Sequence, residues 1–284
     1  MAFLMMVTVA YFAHKNNWGA DVKFEWPRVL KALAETAGSE VLEGLIQRRD
    51  KPDPATYIGS GKVVELKQVV MSTGADTVVC DGELSPSQLR QLEDKLKVKV
   101  VDRTALILDI FAQHAKSREG KAQVELAQLE YLLPRLRGWG ESMSRQAGGQ
   151  VGGGMGIGAR GPGETKIELD RRRINTRVAR LKRQIAAMKP ARETKRASRK
   201  GNQVPAVAIA GYTNAGKSTL FNALVKARAY AADQLFATLD TTTRQLYLGD
   251  AGRSVSLSDT VGFIRDLPHG LVDAFQATLQ EAID

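Results

Sequence analysis

Residues 211–218 are the part of the chain whose types and spacing best suit chemistry; they read Gly-Tyr-Thr-Asn-Ala-Gly-Lys-Ser. This is the G-x-x-x-x-G-K-[ST] phosphate loop, in its required context between an apolar run at 204–210 and a helical stretch predicted at 219–227. In such a loop, backbone N–H groups surround a β-phosphate, Lys217 neutralises the β- and γ-phosphates, and the Ser218 hydroxyl binds magnesium. The pattern therefore predicts a nucleoside triphosphate site in which Lys217 is a catalytic residue.

A second pattern, Asp259-Thr-Val-Gly262, follows an alternating run at 255–257 and has the D-x-x-G form. In a switch-type nucleotidase, we expect Asp259 to order the magnesium shell and the amide of Gly262 to sense the γ-phosphate. Between the two patterns, the segment 236–244 is rich in threonine. One of its hydroxyls could close over magnesium in the triphosphate state. The spacing singles out no threonine, and an ordinary polar loop is the alternative.

The residue after Gly262 is informative because of what it lacks. Many such enzymes have a glutamine there that orients the attacking water, whereas this chain has Phe263. A phenyl ring cannot orient water. We therefore expect slow hydrolysis in the isolated protein, with stimulation by a partner surface or a monovalent cation such as potassium. Asn214, in the phosphate loop, is the catalytic candidate for holding that cation beside the phosphates.

The segments that precede these loops show two different patterns, first alternating strands and helices and then helices alone. The first 115 residues alternate strands and helices, which predicts an α/β unit with a mainly parallel sheet. Its strands are expected at 6–12, 40–47, 77–81 and 98–102, and its helices at 27–37, 62–72 and 85–96. The loop 49–61 lies at the end of a strand, where open α/β sheets place ligands. Residues 1–13 are too short an apolar run to span a membrane, and the run is instead explained by the buried strand predicted at 6–12.

Residues 116–200 have a helical pattern with two apolar seams, each spaced 4, 3, 4, 3. The seams are Ala122, Leu126, Leu129, Leu133 and Leu136, then Ile174, Val178, Leu181, Ile185 and Met188. They predict an antiparallel helical hairpin, kinked at Pro134. Its glycine-rich loop, 148–163, is longer than a turn needs, which favours contact with a partner over a plain connector. Residues 189–203 are expected to be a linker or a frayed helix end.

Charge is concentrated in one segment. The whole chain carries +10, and residues 171–200 alone contain thirteen Lys or Arg against one acid, Glu193. A localised cation of this kind predicts contact with a polyanion, and nucleic acid is the polyanion most expected in a cytosol. We expect RNA contacts from Arg145, Arg160, Arg171, Arg172 and Arg173. A solvated helix face is the alternative interpretation.

The composition, with 43% hydrophobic and 25% charged residues, excludes disordered and fibrous classes. Cys80 is the single cysteine, so no internal disulfide can form, and a reducing cytosol is the expected compartment. We expect no membrane span and a monomer.

Taken together, GYTNAGKSTLFN, FATLD, DTVGFIRDLPH and the upstream RGPGETKIELDRRRI resemble the HflX family of GTPases in the Obg-HflX group. The resemblance implies an α/β fold of three parts: an N-terminal subdomain at 1–115, the hairpin at 116–200, and a P-loop GTPase domain from 201. It also implies cytoplasmic binding to the large ribosomal subunit and its RNA, with dissociation or rescue of ribosomes under stress. An RNA-linked ATPase and a non-catalytic RNA-binding scaffold are the alternatives.

The resemblance also assigns residues to GTP and magnesium. It places magnesium on Ser218 and Thr238, with Asp259 in the surrounding shell. It implies nucleotide contacts from Gly211, Tyr212, Thr213, Asn214, Ala215, Gly216, Lys217, Ser218, Phe236, Ala237, Thr238, Leu239, Asp240, Asp259, Thr260, Val261 and Gly262. Thr241 replaces a proline common in the family, which predicts a less rigid first switch. The N-K-x-D guanine motif is absent before Asp284, so we expect a partial GTPase domain, weak in nucleotide binding or unstable.

Overall fold

A computed structural model describes residues 3–7, 9–11, 25–49, 51–138, 162–201, 204–225, 234–249 and 252–264. Within these ranges, no helix is both long and apolar enough to cross a bilayer. The Gly-rich loop predicted at 148–163 falls outside the described residues up to 161, as do Arg145 and Arg160.

The N-terminal unit is the expected mixed α/β arrangement. Its elements are β1 (Phe3–Val7), β2 (Val9–Tyr11), α1 (Glu25–Thr36), β3 (Glu40–Gly44), β4 (Gln47–Arg48), α2 (Ser60–Thr73), β5 (Thr77–Cys80), α3 (Pro86–Leu96), β6 (Lys99–Asp102) and α4 (Arg103–His114). Strands β3, β1, β5 and β6 form one parallel sheet in that order, which confirms the predicted parallel pairing. The predicted strands 6–12 and 40–47 are each divided, because β2 leaves the main sheet to pair with β4.

Two apolar cores cover the faces of this sheet. One joins Leu33 of α1 with Ile107 and Phe111 of α4, and the other joins Leu66 of α2 with Leu92 of α3. Helix α3 begins with a capping box: Ser85 accepts from the Gln88 amide, and the Gln88 side chain accepts from the Ser85 amide. The first core also contains residues from much later in the chain, which become important at the site.

The helical part consists of α5 (Arg118–Leu132), a 3-10 turn (Arg135–Gly138) and α6 (Pro162–Gly201). The kink predicted at Pro134 is instead an end: α5 stops at Leu132, because Pro134 has no N–H to continue the ladder. Of the two alternatives predicted for 189–203, a linker or a frayed helix end, the linker is wrong as far as Gly201, since α6 continues as helix through Pro190. Its residues there are mostly Ala, Lys, Arg and Glu, whose high helix propensity compensates for one missing hydrogen bond.

The two long helices pack along the predicted seams. Leu181 of α6 is buried, and two ion pairs bridge the helices: Arg177 holds the Glu125 carboxylate through two nitrogens at 2.6 and 2.8 Å, and Lys182 lies 2.8 Å from Glu130. Both acids are on α5 and both bases are on α6. The interface therefore neutralises part of the positive charge that the sequence concentrates on α6.

The last unit holds the phosphate loop. Its described elements are β7 (Ala206–Ile209), α7 (Lys217–Val225), β8 (Thr242–Leu248) and β9 (Arg253–Asp259). Strand β9 pairs with β7 in parallel and with β8 in antiparallel fashion. Helix α7 begins two residues before the predicted start, directly at Lys217. This strand–loop–helix order confirms the context on which the phosphate-loop prediction depended.

Candidate nucleotide site

The phosphate loop links the end of β7 to the first turn of α7. Asn214 and Gly216 have positive φ angles of 56° and 80°, a region that favours asparagine and glycine over most residues. The first helical bond follows at once, from the Leu220 amide to the Gly216 carbonyl at 2.9 Å. The loop thus turns its backbone around the N-terminus of α7, where an anion is favoured.

A cavity that is open to solvent lies over this turn. Its lining residues are Thr213, Asn214, Ala215, Gly216, Lys217, Ser218, Thr219, Gln234, Phe236, Ala237, Thr238, Thr260 and Gly262. Three segments that are distant in the sequence therefore meet here, as predicted from the two motifs and the threonine-rich segment between them. Gln234 and Thr219 also line the cavity, although neither was selected by a sequence motif.

Three oxygen-bearing side chains gather at one end of the cavity. Ser218 Oγ donates to Asp259 Oδ2 at 2.6 Å, Thr238 Oγ1 donates to the same oxygen at 3.1 Å, and the two hydroxyl oxygens are 2.8 Å apart. Asp259 is buried, and its other oxygen, Oδ1, has no hydrogen-bond partner in the described part of the chain. The structure thus distinguishes Thr238 from its neighbours; Thr243, for example, bonds Ser258 on β9.

This cluster fits magnesium. The ion prefers oxygen ligands, retains several waters and commonly uses one or two protein groups beside the phosphates. The hydroxyls of Ser218 and Thr238 would be direct ligands, and the unpartnered Oδ1 of Asp259 would accept a hydrogen bond from a magnesium-bound water. Among the residues described, no group of three or more His, Cys, Asp or Glu side chains is arranged to hold a metal.

Lys217 is folded back over the loop. Its Nζ donates to the Tyr212 carbonyl at 2.7 Å, which extends the ammonium across the turn where phosphates are expected. Partial burial lowers the pKa of Lys217, while the Asp259 carboxylate opposes that shift. A phosphate anion beside the amine would favour its charged form still further.

The D-x-x-G segment lies directly against the phosphate loop. The Phe263 amide donates to the Gly211 carbonyl at 3.0 Å, and the Thr213 amide donates to the Phe263 carbonyl at 2.7 Å. A Cβ at Gly262 would overlap the backbone of Thr213, so only glycine permits this approach. Thr260 Oγ1 donates to the Ile209 carbonyl at 2.7 Å, which ties the segment to the end of β7.

The first switch segment, residues 235–240, is divided between the cavity and the N-terminal core. Phe236, Ala237 and Thr238 line the cavity. Leu239 is buried instead in the core of α1 and α4, and the Asp240 carboxylate bonds to the start of α5. The structure therefore does not bring these two predicted nucleotide contacts to the cavity through their side chains.

The predicted RNA contacts that the structure describes lie on α6. Arg172 and Arg173 are exposed, Arg171 is half-buried, and Arg173 lies 3.4 Å from Asp170 of its own helix. No feature of the sequence indicated Thr36, His114 or Ser117, which all bond to the first switch segment. Such contacts join residues far apart in the chain and have no local pattern.

Three family models cover the chain in succession. A model described as GTP-binding GTPase N-terminal matches residues 28–112, one described as GTP-binding GTPase Middle Region matches 114–199, and one described as 50S ribosome-binding GTPase matches 206–284.

The chain is also similar to individual proteins that are named as GTPases. The chain is 55% identical over 252 residues to the GTPase HflX of Caldanaerobacter subterraneus subsp. tengcongensis, covering 89% of this chain and 57% of that protein. It is 52% identical over 262 residues to the GTPase HflX of Escherichia coli K12, covering 92% and 59%. The chain therefore spans less than three fifths of these relatives' length. The solved complex of SsGBP with GDP is similar at a TM-score of 0.55 and 27% identity, covering 99% of this chain and 68% of that one.

Proposed function

The chain belongs to the HflX family of GTPases, and on that premise we propose that it binds GTP with magnesium at the phosphate loop and hydrolyses it to GDP and phosphate. The observation that carries the proposal is the junction of Ser218, Thr238 and Asp259 beside the loop. Selection of guanine over adenine is proposed from family membership alone.

Each part of the cavity has a role in this reaction. The loop amides and Lys217 hold the β- and γ-phosphates, and the Gly262 amide contacts the γ-phosphate from the opposite side. Bound magnesium would neutralise charge on the phosphate oxygens. Water attacks the γ-phosphorus, and the GDP oxygen leaves. Asn214 is assigned to a monovalent cation, for which potassium is the candidate.

Slow turnover in isolation is part of the proposal. Phe263 stands where a water-orienting glutamine is common, and its backbone amide and carbonyl bond to the phosphate loop. A partner surface or a cation must then supply the missing orientation. We propose that the partner is the large ribosomal subunit, that the chain dissociates or rescues ribosomes under stress, and that it acts in the cytoplasm as a monomer.

The charges on α6 support the ribosomal part. Arg177 and Lys182 are occupied by acids of α5, whereas Arg172, Arg173, Arg180 and Arg183 are exposed. An exposed row of arginines suits the phosphates of ribosomal RNA. We assign the α/β unit to residues 1–115, this hairpin to 116–200 and the GTPase unit to 201–284.

Calorimetry and sedimentation test the two parts separately. Titration with GTP, with and without magnesium, is expected to give magnesium-dependent binding, with ATP as the comparison nucleotide. Stronger binding of ATP would favour the RNA-linked ATPase. Pelleting with 50S subunits in GTP and GDP is expected to show nucleotide-dependent association; association without any nucleotide binding would favour the non-catalytic scaffold.

A further inference from the structure

The first switch segment is bound at three points by the N-terminal and helical parts. The Leu235 amide donates to Thr36 Oγ1 at 3.3 Å, and the Phe236 carbonyl lies 2.7 Å from His114 Nδ1. The Asp240 carboxylate completes the set at the junction of α4 and α5. These contacts span about 120 to 200 positions of sequence, so they depend on how the units are assembled and not on local structure.

The Asp240 contact is the strongest of the three by geometry. Its Oδ2 accepts from the amides of Lys116 and Ser117 at 2.7 and 2.8 Å, and its Oδ1 accepts from Ser117 Oγ at 2.5 Å. Hydrogen bonds to an ionised carboxylate are shorter and stronger than neutral ones. Because the carboxylate lies at the N-terminus of α5, the helix dipole favours it as well.

Ser117 has two tasks at this point. Its hydroxyl accepts from the Gly120 amide at 2.8 Å, which caps α5, and donates to Asp240. A Cβ at Gly120 would overlap Asp240 Oδ1, so the first turn of α5 leaves room for the carboxylate only because it has glycine there. The start of α5 is thus shaped around a residue of the GTPase unit.

The same short segment contains the proposed magnesium ligand. Thr238 lies between Phe236 and Leu239, whose side chains are 2% and 5% exposed and belong to the core of α1 and α4. Two residues further along, Asp240 fixes the end of the segment. With both flanks held, the Thr238 hydroxyl is positioned against Ser218 and Asp259 by elements outside the GTPase unit.

We propose that Asp240 is a positioning residue, which through its bonds to the start of α5 sets the place of Thr238 and so links magnesium-nucleotide affinity to the seating of the helical hairpin. The inference rests on the proposed nucleotide function. Linkage of this kind is reciprocal: whatever displaces α5 must weaken the magnesium-dependent part of nucleotide binding, and nucleotide with magnesium must stabilise the start of α5.

The test uses the whole chain and four variants. Asp240→Ala removes the carboxylate that bonds to the start of α5. Ser117→Ala removes one of the hydrogen bonds to that carboxylate, and Ser117→Thr keeps the hydroxyl and should preserve the bond. Glu130→Gln is the matched control, because it neutralises an acid of α5 that bonds Lys182 instead of the switch segment. Far-ultraviolet circular dichroism verifies that each variant folds.

Amide hydrogen exchange of the nucleotide-free chain is the first measurement. Asp240→Ala is expected to raise exchange about tenfold at both 116–120 and 236–240, with a smaller increase in Ser117→Ala and none in Ser117→Thr or Glu130→Gln. An increase at 116–120 alone would overturn the proposal, since Asp240 would then only cap α5. An unchanged profile at both segments would overturn it too.

Affinity for a fluorescent GTP analogue, with and without magnesium, is the second measurement. Asp240→Ala is expected to weaken the magnesium-dependent affinity about tenfold and to leave the magnesium-free affinity unchanged. Equal weakening under both conditions would overturn the positioning role. If the parent chain binds no analogue, the proposed nucleotide function fails, and the exchange experiment still decides whether Asp240 couples the two segments.

Discussion

The rings of Phe111 and Phe236 meet edge to face, with centroids 4.8 Å apart and planes at 83°. Phe111 belongs to α4 of the N-terminal unit, and Phe236 belongs to the first switch segment of the GTPase unit. Both are almost completely buried, so one apolar core is shared by two parts of the chain. The candidate nucleotide site is therefore supported by a core to which the N-terminal unit contributes as well as the GTPase unit.

Removing one of these rings should uncouple the units. Phe236→Ala is expected to lower the free energy of unfolding by about 3–5 kcal/mol, through lost burial and a residual cavity. Urea unfolding followed by circular dichroism measures the change, and the N-terminal and GTPase parts should then unfold in separate steps. Phe221→Ala, which removes a buried ring of α7, is the control. It should lower the free energy of unfolding without raising amide hydrogen exchange at 116–120 and 236–240, the two segments that Asp240 joins. A similar rise in exchange at these segments in both variants would contradict the prediction.

Lys217 should be essential for triphosphate binding. We expect Lys217→Ala to weaken GTP affinity by at least about 100-fold, equal to about 2.7 kcal/mol, because the phosphates lose their main counter-charge. Calorimetry measures this loss. Lys62→Ala, which removes an amine that bonds Glu65 on α2, is the matched control and should bind as the parent does. Retention of full affinity in Lys217→Ala would place the phosphates elsewhere.

How much of this site follows from sequence can be judged from particular residues. The grouping of Lys217, Ser218 and Asp259 around one cavity was predictable, because phosphate loops and D-x-x-G segments have recognisable local spacing. The part of Thr238 rested on family resemblance, since three nearby threonines share its chemistry. The hydrogen bonds between Asp240 and the start of α5 were not predictable, because the partners of Asp240 lie more than a hundred positions earlier and come together only after folding.

The same distinction applies to the fold. The alternation of apolar runs and helical patterns predicted the strands of the parallel sheet, and the helices that flank it, to within a few residues. The continuation of α6 through Pro190 was not predicted, because the neighbouring residues of high helix propensity outweigh one missing hydrogen bond. At Pro134 a kink was predicted within a continuing helix, whereas α5 ends at Leu132.

Gly262 should tolerate no side chain. Gly262→Ala is expected to lower the free energy of unfolding by about 1–3 kcal/mol, because the new methyl group meets the backbone of Thr213. Thermal unfolding measures the loss, and exchange of the Phe263 amide should rise as its bond to Gly211 breaks. Gly249→Ala is the control: nothing lies within 4 Å of a Cβ there, so the change should be within about 0.5 kcal/mol.

Cys80 should report on the folding of the parallel sheet. Burial raises the pKa of its thiol above the usual range, with Asp102 and Asp81 adding to the shift. The unfolded thiol titrates near pH 8.5, so its contribution to stability is full below about pH 8.5 and is lost as the pH rises. We expect negligible reaction with a disulfide reagent at pH 8 until denaturant unfolds the unit. Rapid labelling of the native chain would contradict the burial of this residue.

Arginines of α6 should differ in their effect on RNA. Replacing Arg171, Arg172 and Arg173 with serine is expected to reduce the salt dependence of binding to 50S subunits, by up to about 2 in the slope of log K against log salt. Arg177→Ser is the control, since that side chain is paired with Glu125 and should change the slope little. Sedimentation at several salt concentrations measures both. An equal slope in all variants would remove this face of α6 from the interface.

Helix α6 has 40 residues, which corresponds to a rod of about 60 Å at 1.5 Å per residue. One end leads within a few residues into β7, close to where the units meet, and the other leads away to the glycine-rich segment. A tilt of about 5° at the base would carry the far end through roughly 5 Å. A small rotation where α6 joins the GTPase unit would therefore appear at its other end as a displacement the size of a side chain.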